Sequence, residues 1–246
     1  MRLLIDLGNT RLKWAVSGAG EWRTGVVAHR GQEISRLLDD AWMGLSAPTG
    51  VVLVSVAADE TRQGIEEWVR RRWGVLAHRV KPQASQLGVV NQYRDPAALG
   101  ADRWVALIAA RAEMPEEALC VINCGTATTI DALSAAGEFA GGVIFPGLGL
   151  LRGALTGGTA GIRVADGDET SCLARATADA VAAGTLYGLV GAIERVCLEI
   201  EQGLDEAPKL IITGGDADRV AAHLTRPARR IPDLVLRGLD RISATL

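Results

Sequence analysis

Two short stretches hold the residue types that phosphate chemistry uses. In "LLIDLGNTRLKW" (3–14) an apolar run ends in Asp6 and is followed by Gly8, Asn9, Thr10 and Lys13. In "CVINCGTATTIDAL" (120–133) another apolar run ends in Asn123, followed by Gly125, Thr126, Thr128 and Thr129. A glycine-containing turn between two strands can leave backbone N–H groups pointing outward as a nest for phosphate oxygens. Small hydroxyl residues such as Thr10 and Thr126 add donors without bulk. A carboxylate at the strand end, Asp6, suits Mg²⁺ held through water, because that ion takes one or two carboxylates plus phosphate oxygens. Lys13, on the strand leaving the turn, is in reach of a phosphate. Each hairpin alone reads equally as an ordinary tight turn, since Asn and Gly are turn residues. Two at matching places favour a nucleotide site.

A third stretch, "YRDPAALGADRW" (93–104), sets Gly100, Asp102 and Arg103 where an insertion meets a helix start. A helix N-terminus favours anions, and arginine binds carboxylates in bidentate fashion; the alternative is that Asp102 only caps or pairs locally. The glycine-rich run 141–161 lacks GxGxxG spacing, and no GxxxxGK[ST] occurs, so the Rossmann and P-loop signatures are missing. That run reads as a turn lining a cleft, and "IITGGDA" (211–217) as backbone passing close to an adenosine.

Positioning these side chains takes strands that end together. Residues 2–7, 11–18 and 23–28 read as three strands. A helix over 33–45 follows from the spacing of Ile34, Leu37, Leu38 and Trp42, and "VVLVSVA" (51–57) reads as a buried strand. A second helix, capped by Asp59, carries an inner stripe of Ile65, Trp68, Val69 and Trp73, with Arg70, Arg71 and Arg72 solvated. A strand at 75–80, a polar stretch from Lys81 to Gly100 and a helix over 101–113 complete the first half. Beyond the joint Pro115-Glu116-Glu117 the order restarts: strands at 119–123, 128–133 and 139–145, a long helix near 175–200, a strand at 210–213, a helix at 220–224 and an amphipathic segment at 234–244. The expected division is 1–115 and 116–246. Both halves fit the duplicated ribonuclease-H-like pattern of the actin, hexokinase and acetate kinase superfamily, an analogy of fold.

The chain has 246 residues, 48% hydrophobic and 22% charged, with a formal net charge of −3. That charge offers no surface for nucleic acid. The apolar runs read as too short to cross a bilayer and no signal peptide pattern opens the chain, so a cytoplasmic protein with no membrane partner is expected. Cys120, Cys124, Cys172 and Cys197 form no metal-ligand pattern with His29, His78 or His223 and read as buried free thiols.

Six segments in order, "DLGNT" (6–10), "GADRW" (100–104), "CGTATT" (124–129), "GGVIFPG" (141–147), "ATADAVAAGTLYG" (176–188) and "DLVLRGL" (233–239), closely resemble the type III pantothenate kinases. The resemblance extends over the whole length. It implies an α/β, duplicated ribonuclease-H-like two-domain fold with the active-site cleft between the halves. It also implies ATP- and Mg²⁺-dependent phosphorylation of pantothenate, the first step toward coenzyme A, by a homodimer. Carried onto this chain, Asp6, Leu7, Gly8, Asn9, Thr10, Arg11, Leu12 and Lys13 would hold ATP phosphates, with Thr126 as a further contact. Tyr93, Gly100, Ala101, Asp102, Arg103 and Thr177 would bind pantothenate, in what the resemblance makes a pantothenate-binding insertion of the first half. Asp102 would be the general base. Many members carry aspartate where Asn123 stands, and bind a monovalent cation such as K⁺ or NH₄⁺ there. The neutral amide puts that requirement in question. Competing readings are another kinase or a phosphatase of the superfamily, which has no need of the Tyr93–Arg103 segment, and a non-catalytic nucleotide-binding regulator.

Overall fold

The computed structural model describes residues 1–18, 20–163, 167 and 171–246. The chain begins β1 (Arg2–Leu7), β2 (Arg11–Gly18), β3 (Glu21–Ala28), α1 (Ile34–Ala41), β4 (Gly50–Ser55), α2 (Asp59–Trp73), β5 (Ala77–Arg79), β6 (Ser85–Gln86), β7 (Val89–Asn91) and α3 (Ala101–Glu113). It continues β8 (Leu119–Cys124), β9 (Ala127–Leu133), β10 (Glu138–Pro146), α4 (Leu148–Gly158), α5 (Thr177–Leu204), β11 (Lys209–Thr213), α6 (Ala217–Ala221), β12 (Ala228–Arg230) and α7 (Leu234–Ser243).

Two compact units result: Met1–Glu113 with Asp233–Leu246, and Met114–Pro232. The terminal helix lies in the first unit, whereas the expected division assigned it to the second. Its seat is specific. A Cβ on Gly238 would stand 2.1 Å from the Val105 carbonyl of α3, so the two helices meet where α7 has no side chain. Ser17 Oγ also donates to Asp240 Oδ1 at 2.5 Å.

Both units repeat one topology. The first sheet runs β3-β2-β1-β4-β5, and within the second unit the strands run β10-β9-β8-β11-β12. In each, the first strand pairs antiparallel with the second and parallel with the fourth. Parallel pairing needs a crossover; α1 and α2 supply it in the first unit, α5 and α6 in the second. Alternation along β1 sends Leu3, Ile5 and Leu7 into a core with Leu38, Ile65 and the tryptophans Trp42 and Trp68, whose rings stand 5.2 Å apart. Alternation along β8 likewise sends Cys120, Ile122 and Cys124 into a core with Leu186, Leu189 and Ile193 of α5. Leu4 and Asp6 face the other side of the first sheet, which α3 and α7 cover.

Several expectations need correction. The glycine-rich run is not a turn: α4 spans Leu148–Gly158 within it, with Leu148 buried. Helical glycine costs only about 1 kcal/mol each, and packing of Leu148 and Leu151 on the second core opposes that cost. Asp59 does not cap α2. It is the first helical residue, paired with Arg62 at 2.8 Å, and that ion pair holds its carboxyl below the usual range. α5 is, by length and composition, long and apolar enough to cross a membrane, against the expectation of runs too short for it. Its inner face is nevertheless the core of the second unit. Of the cysteines, Cys172 is exposed, while Cys120 and Cys197 are buried with their sulfurs 3.3 Å apart.

Candidate active site

Asp6 owes its place to strand alternation. It is the penultimate residue of β1, directly opposite Lys13 on β2, and partly exposed. Burial of the carboxyl pushes its pKa up to about 7; Lys13 pulls it down, while the charges of Asp102 and Asp233 push it further up. These carboxylates therefore sense one another on the face covered by α3 and α7. Leu7 and Leu12, which pair at the end of the ladder, are both fully buried, so within the predicted phosphate segment their contribution is to anchor it. Residues 8–11 form the turn. The Gly8 N–H donates to the Arg11 carbonyl at 3.0 Å, so that amide is already used within the turn. Asn9 and Arg11 are exposed.

The second cluster is built by the insertion and the first turn of α3. Asn91, buried at the end of β7, ties the insertion together. Its amide donates to the Gln83 and Pro96 carbonyls, both at 3.2 Å, and its Oδ1 accepts the Tyr93 N–H at 3.1 Å. Tyr93 Oη then accepts from Arg103 Nη1 at 2.8 Å, and Arg103 is buried. Asp102 Oδ1 accepts the Arg103 N–H at 2.8 Å. Burial raises the Asp102 pKa, opposed by that amide and by the Arg103 charge. Gly100 is explained by the same carboxylate: a Cβ there would lie 3.0 Å from Asp102 Oδ1, and its absence keeps that side of the group open. Tyr93, Gly100, Ala101, Asp102 and Arg103 thus form one connected piece, with Asp102 electrostatically joined to Asp6.

In the second unit Asn123 is the penultimate residue of β8, opposite Thr129, and the turn is 125–127. Gly125 N–H donates to the Ala127 carbonyl at 3.1 Å and Thr126 is exposed. Thr177 is the exposed first residue of α5. The paired glycines after β11 have a packing role. Gly214, at φ 102°, approaches the Cys124 backbone so closely that a Cβ would stand 2.3 Å from its oxygen.

Sequence reasoning missed Asn91, Asp233 and the ring of His29. Asp233 stands in the "DLVLRGL" segment ahead of α7, which offered an acidic residue before a helical stripe as a signal, and its charge acts on Asp6. Asn91 and His29 offered none, because their partners are backbone carbonyls. Among the described residues no three His, Cys, Asp or Glu side chains gather as a metal cage. A single carboxylate at a strand end, such as Asp6, fits an Mg²⁺ that would keep waters and phosphate oxygens as its other ligands.

A family model described as type III pantothenate kinase matches residues 2–199. A protein of Paracidovorax citrulli (strain AAC00-1) bearing that name is 41% identical over 249 residues, covering 98% of this chain and 97% of that protein. Among solved structures, a Campylobacter jejuni protein described as a conserved Baf family transcriptional activator has a TM-score of 0.62 at 20% identity, covering 99% of this chain and 98% of that one. A 2-dehydro-3-deoxygalactonokinase protein from Sinorhizobium meliloti has a TM-score of 0.55 at 14% identity, covering 100% and 99%. These likenesses fix the fold as the two-domain, actin- and hexokinase-like α/β architecture.

Proposed function

Because the chain belongs to the type III pantothenate kinase family, and so phosphorylates pantothenate with ATP in coenzyme A synthesis, we propose that Asp102 is the general base for the pantothenate hydroxyl. The observation that supports this is the charge of Asp102 acting on Asp6: burial shifts the pKa of both carboxyls upward, and Asp102, in the first turn of α3, raises that of Asp6 further. Carboxylates perturbed in this way mark a functional site, and like charges there call for a cation. Phosphoryl transfer depends mainly on positioning and charge neutralisation. Asp102 is oriented by the Arg103 amide, which donates to its Oδ1, and by its own backbone N–H, and it takes the hydroxyl proton.

The remaining roles follow from the same reading. The turn after Asp6 binds ATP phosphates, with Thr10, Arg11, Lys13 and Thr126 as contacts. Asp6 holds Mg²⁺ through water; the ion, when bound, neutralises phosphate charge and draws the Asp6 pKa back down. Arg103, with Tyr93, Gly100, Ala101 and Thr177, receives pantothenate. Asn123 replaces a charged ligand of the monovalent cation, so dependence on K⁺ or NH₄⁺ is weak. The enzyme works as a cytoplasmic homodimer.

Asp102→Asn keeps the shape and removes the base. In a coupled ADP-release assay kcat falls by roughly 10²–10⁴, while pantothenate binding changes little. A kcat within a few-fold of the unaltered enzyme would overturn the assignment. Parallel assays with acetate and simple sugars separate this activity from that of other superfamily kinases.

A further inference from the structure

In each unit the residue after the third strand closes the hairpin made by the first two. After β3, the His29 N–H donates to the Thr10 carbonyl at 3.3 Å; after β10, the Gly147 N–H donates to the Thr126 carbonyl at 3.0 Å. Strand register makes these the same place. Arg11 pairs with Ala28 one step before Thr10 and His29, and Ala127 pairs with Pro146 one step before Thr126 and Gly147. In the second unit the Gly125 carbonyl packs directly on Gly147, where a Cβ would stand 2.2 Å from that oxygen. In the first unit the equivalent carbonyl, that of Gly8, is met by the imidazole of His29, whose Nε2 lies 2.8 Å away. A carbonyl oxygen only accepts, so Nε2 carries the proton.

We propose that His29 is a positioning residue for the phosphate turn, holding the Gly8–Asn9 peptide so that the Asn9 N–H faces the nucleotide. The inference rests on the reading of that turn as the ATP phosphate site. A trans peptide is planar, so its C=O and N–H point opposite ways. With the Gly8 carbonyl held at the His29 ring, the Asn9 N–H is turned away from it. The hold matters because glycine takes many backbone conformations at little cost. A flipped peptide would present an oxygen, and not a donor, to a phosphate. His29 is only 8% exposed, so its ring has little freedom to swing away.

The test is calorimetric titration of Mg²⁺ and a non-hydrolysable ATP analogue into the full-length protein. His29→Phe, which keeps the ring and removes the donor, weakens binding about three- to tenfold, the range for one net hydrogen bond. The KM for pantothenate at saturating ATP stays unchanged. His29→Gln, whose Nε2 donates at similar reach, restores most of the affinity. Titration stoichiometry counts folded protein, so partial unfolding of a variant leaves its Kd readable. Equal affinity in all three proteins, or equal weakening by Phe and Gln, overturns the proposal. Asp6→Asn is run beside them. If it weakens nucleotide binding while His29→Phe does not, only the role of His29 fails; if neither weakens binding, the reading of the turn fails as well.

Discussion

At the penultimate position of its first strand, one unit carries Asp6 opposite Lys13, and the other carries Asn123 opposite Thr129. One step on, Leu7 opposite Leu12 answers to Cys124 opposite Thr128. The turn then takes residues 8–11 in the first unit and 125–127 in the second. Two hairpins with one backbone plan therefore differ in charge, in loop length and in one buried side chain. Duplication provides two sets of outward amides. The carboxylates whose charges act on one another lie in the first unit, because α3 and the start of α7 bring Asp102 and Asp233 to the face of Asp6. The second hairpin is left with neutral donors.

The comparison breaks most sharply at the residue that closes each turn. Gly147→Ala forces a Cβ against the Gly125 carbonyl, at 2.2 Å in the present backbone. Overpacking of this kind costs about 3 kcal/mol, and denaturant unfolding will register it. The counterpart His29→Ala removes atoms from a place already able to hold them, and its loss of stability is smaller.

Making the first hairpin resemble the second comes next. Asp6→Asn lowers Mg²⁺ affinity in the ATP reaction by about 10–100-fold, the range for groups that hold a metal through its outer shell; a Mg²⁺ titration of activity measures it. The same change alters stability with pH. Between 3.8 and about 7 the folded Asp6 binds a proton that the unfolded chain has released, so stability falls as pH rises through that window and stays lower above it. In the Asn variant this slope is gone, and its melting temperature gains on that of the parent from pH 5 to pH 8.

Much of this frame was legible because β1 and β8 announce themselves: apolar residues, one polar residue near the end, then glycine. The helix of Asp102 was equally plain, since Trp104, Leu107 and Ile108 recur at helical spacing and are buried. Other features were hidden for physical reasons. The glycines of α4 match turn chemistry, and only burial of Leu148 makes a helix there. β6, β7 and β12 are too short to show alternation. The correspondence of His29 with Gly147 is invisible in sequence because the turns differ by one residue. Side chains that serve carbonyls, such as Asn91, have no partner residue type to betray them.

A smaller effect is expected from restoring charge to the second hairpin. Asn123→Asp introduces a carboxylate where the cation would sit and makes activity rise several-fold with added K⁺ or NH₄⁺, beyond the response of the parent. Assays in buffers free of both ions, then with each returned, measure the difference. An equal response in both proteins would show that backbone and water ligands suffice.

The smallest effect concerns Thr128, which stands where the first unit has Leu12. It is fully buried, and among the described residues its hydroxyl has no hydrogen-bond partner. An unsatisfied buried hydroxyl costs about 1–3 kcal/mol, so Thr128→Val, of nearly the same shape, raises stability by about 1 kcal/mol. Chemical denaturation of the two proteins resolves a change of that size.

The return of α7 to the first unit carries a consequence for how the protein comes into being. Residues 114–232 form a continuous stretch and can close their core while the rest of the chain is still being made, as contiguous domains do during synthesis. The first unit emerges earlier yet finishes later. Until Gly238 seats on Val105 and Asp240 meets Ser17, the helix that carries Asp102 lacks its cover. The unit that carries Asp102 waits for α7, so a chain cut short before Asp233 would hold a second unit able to close and a first that cannot.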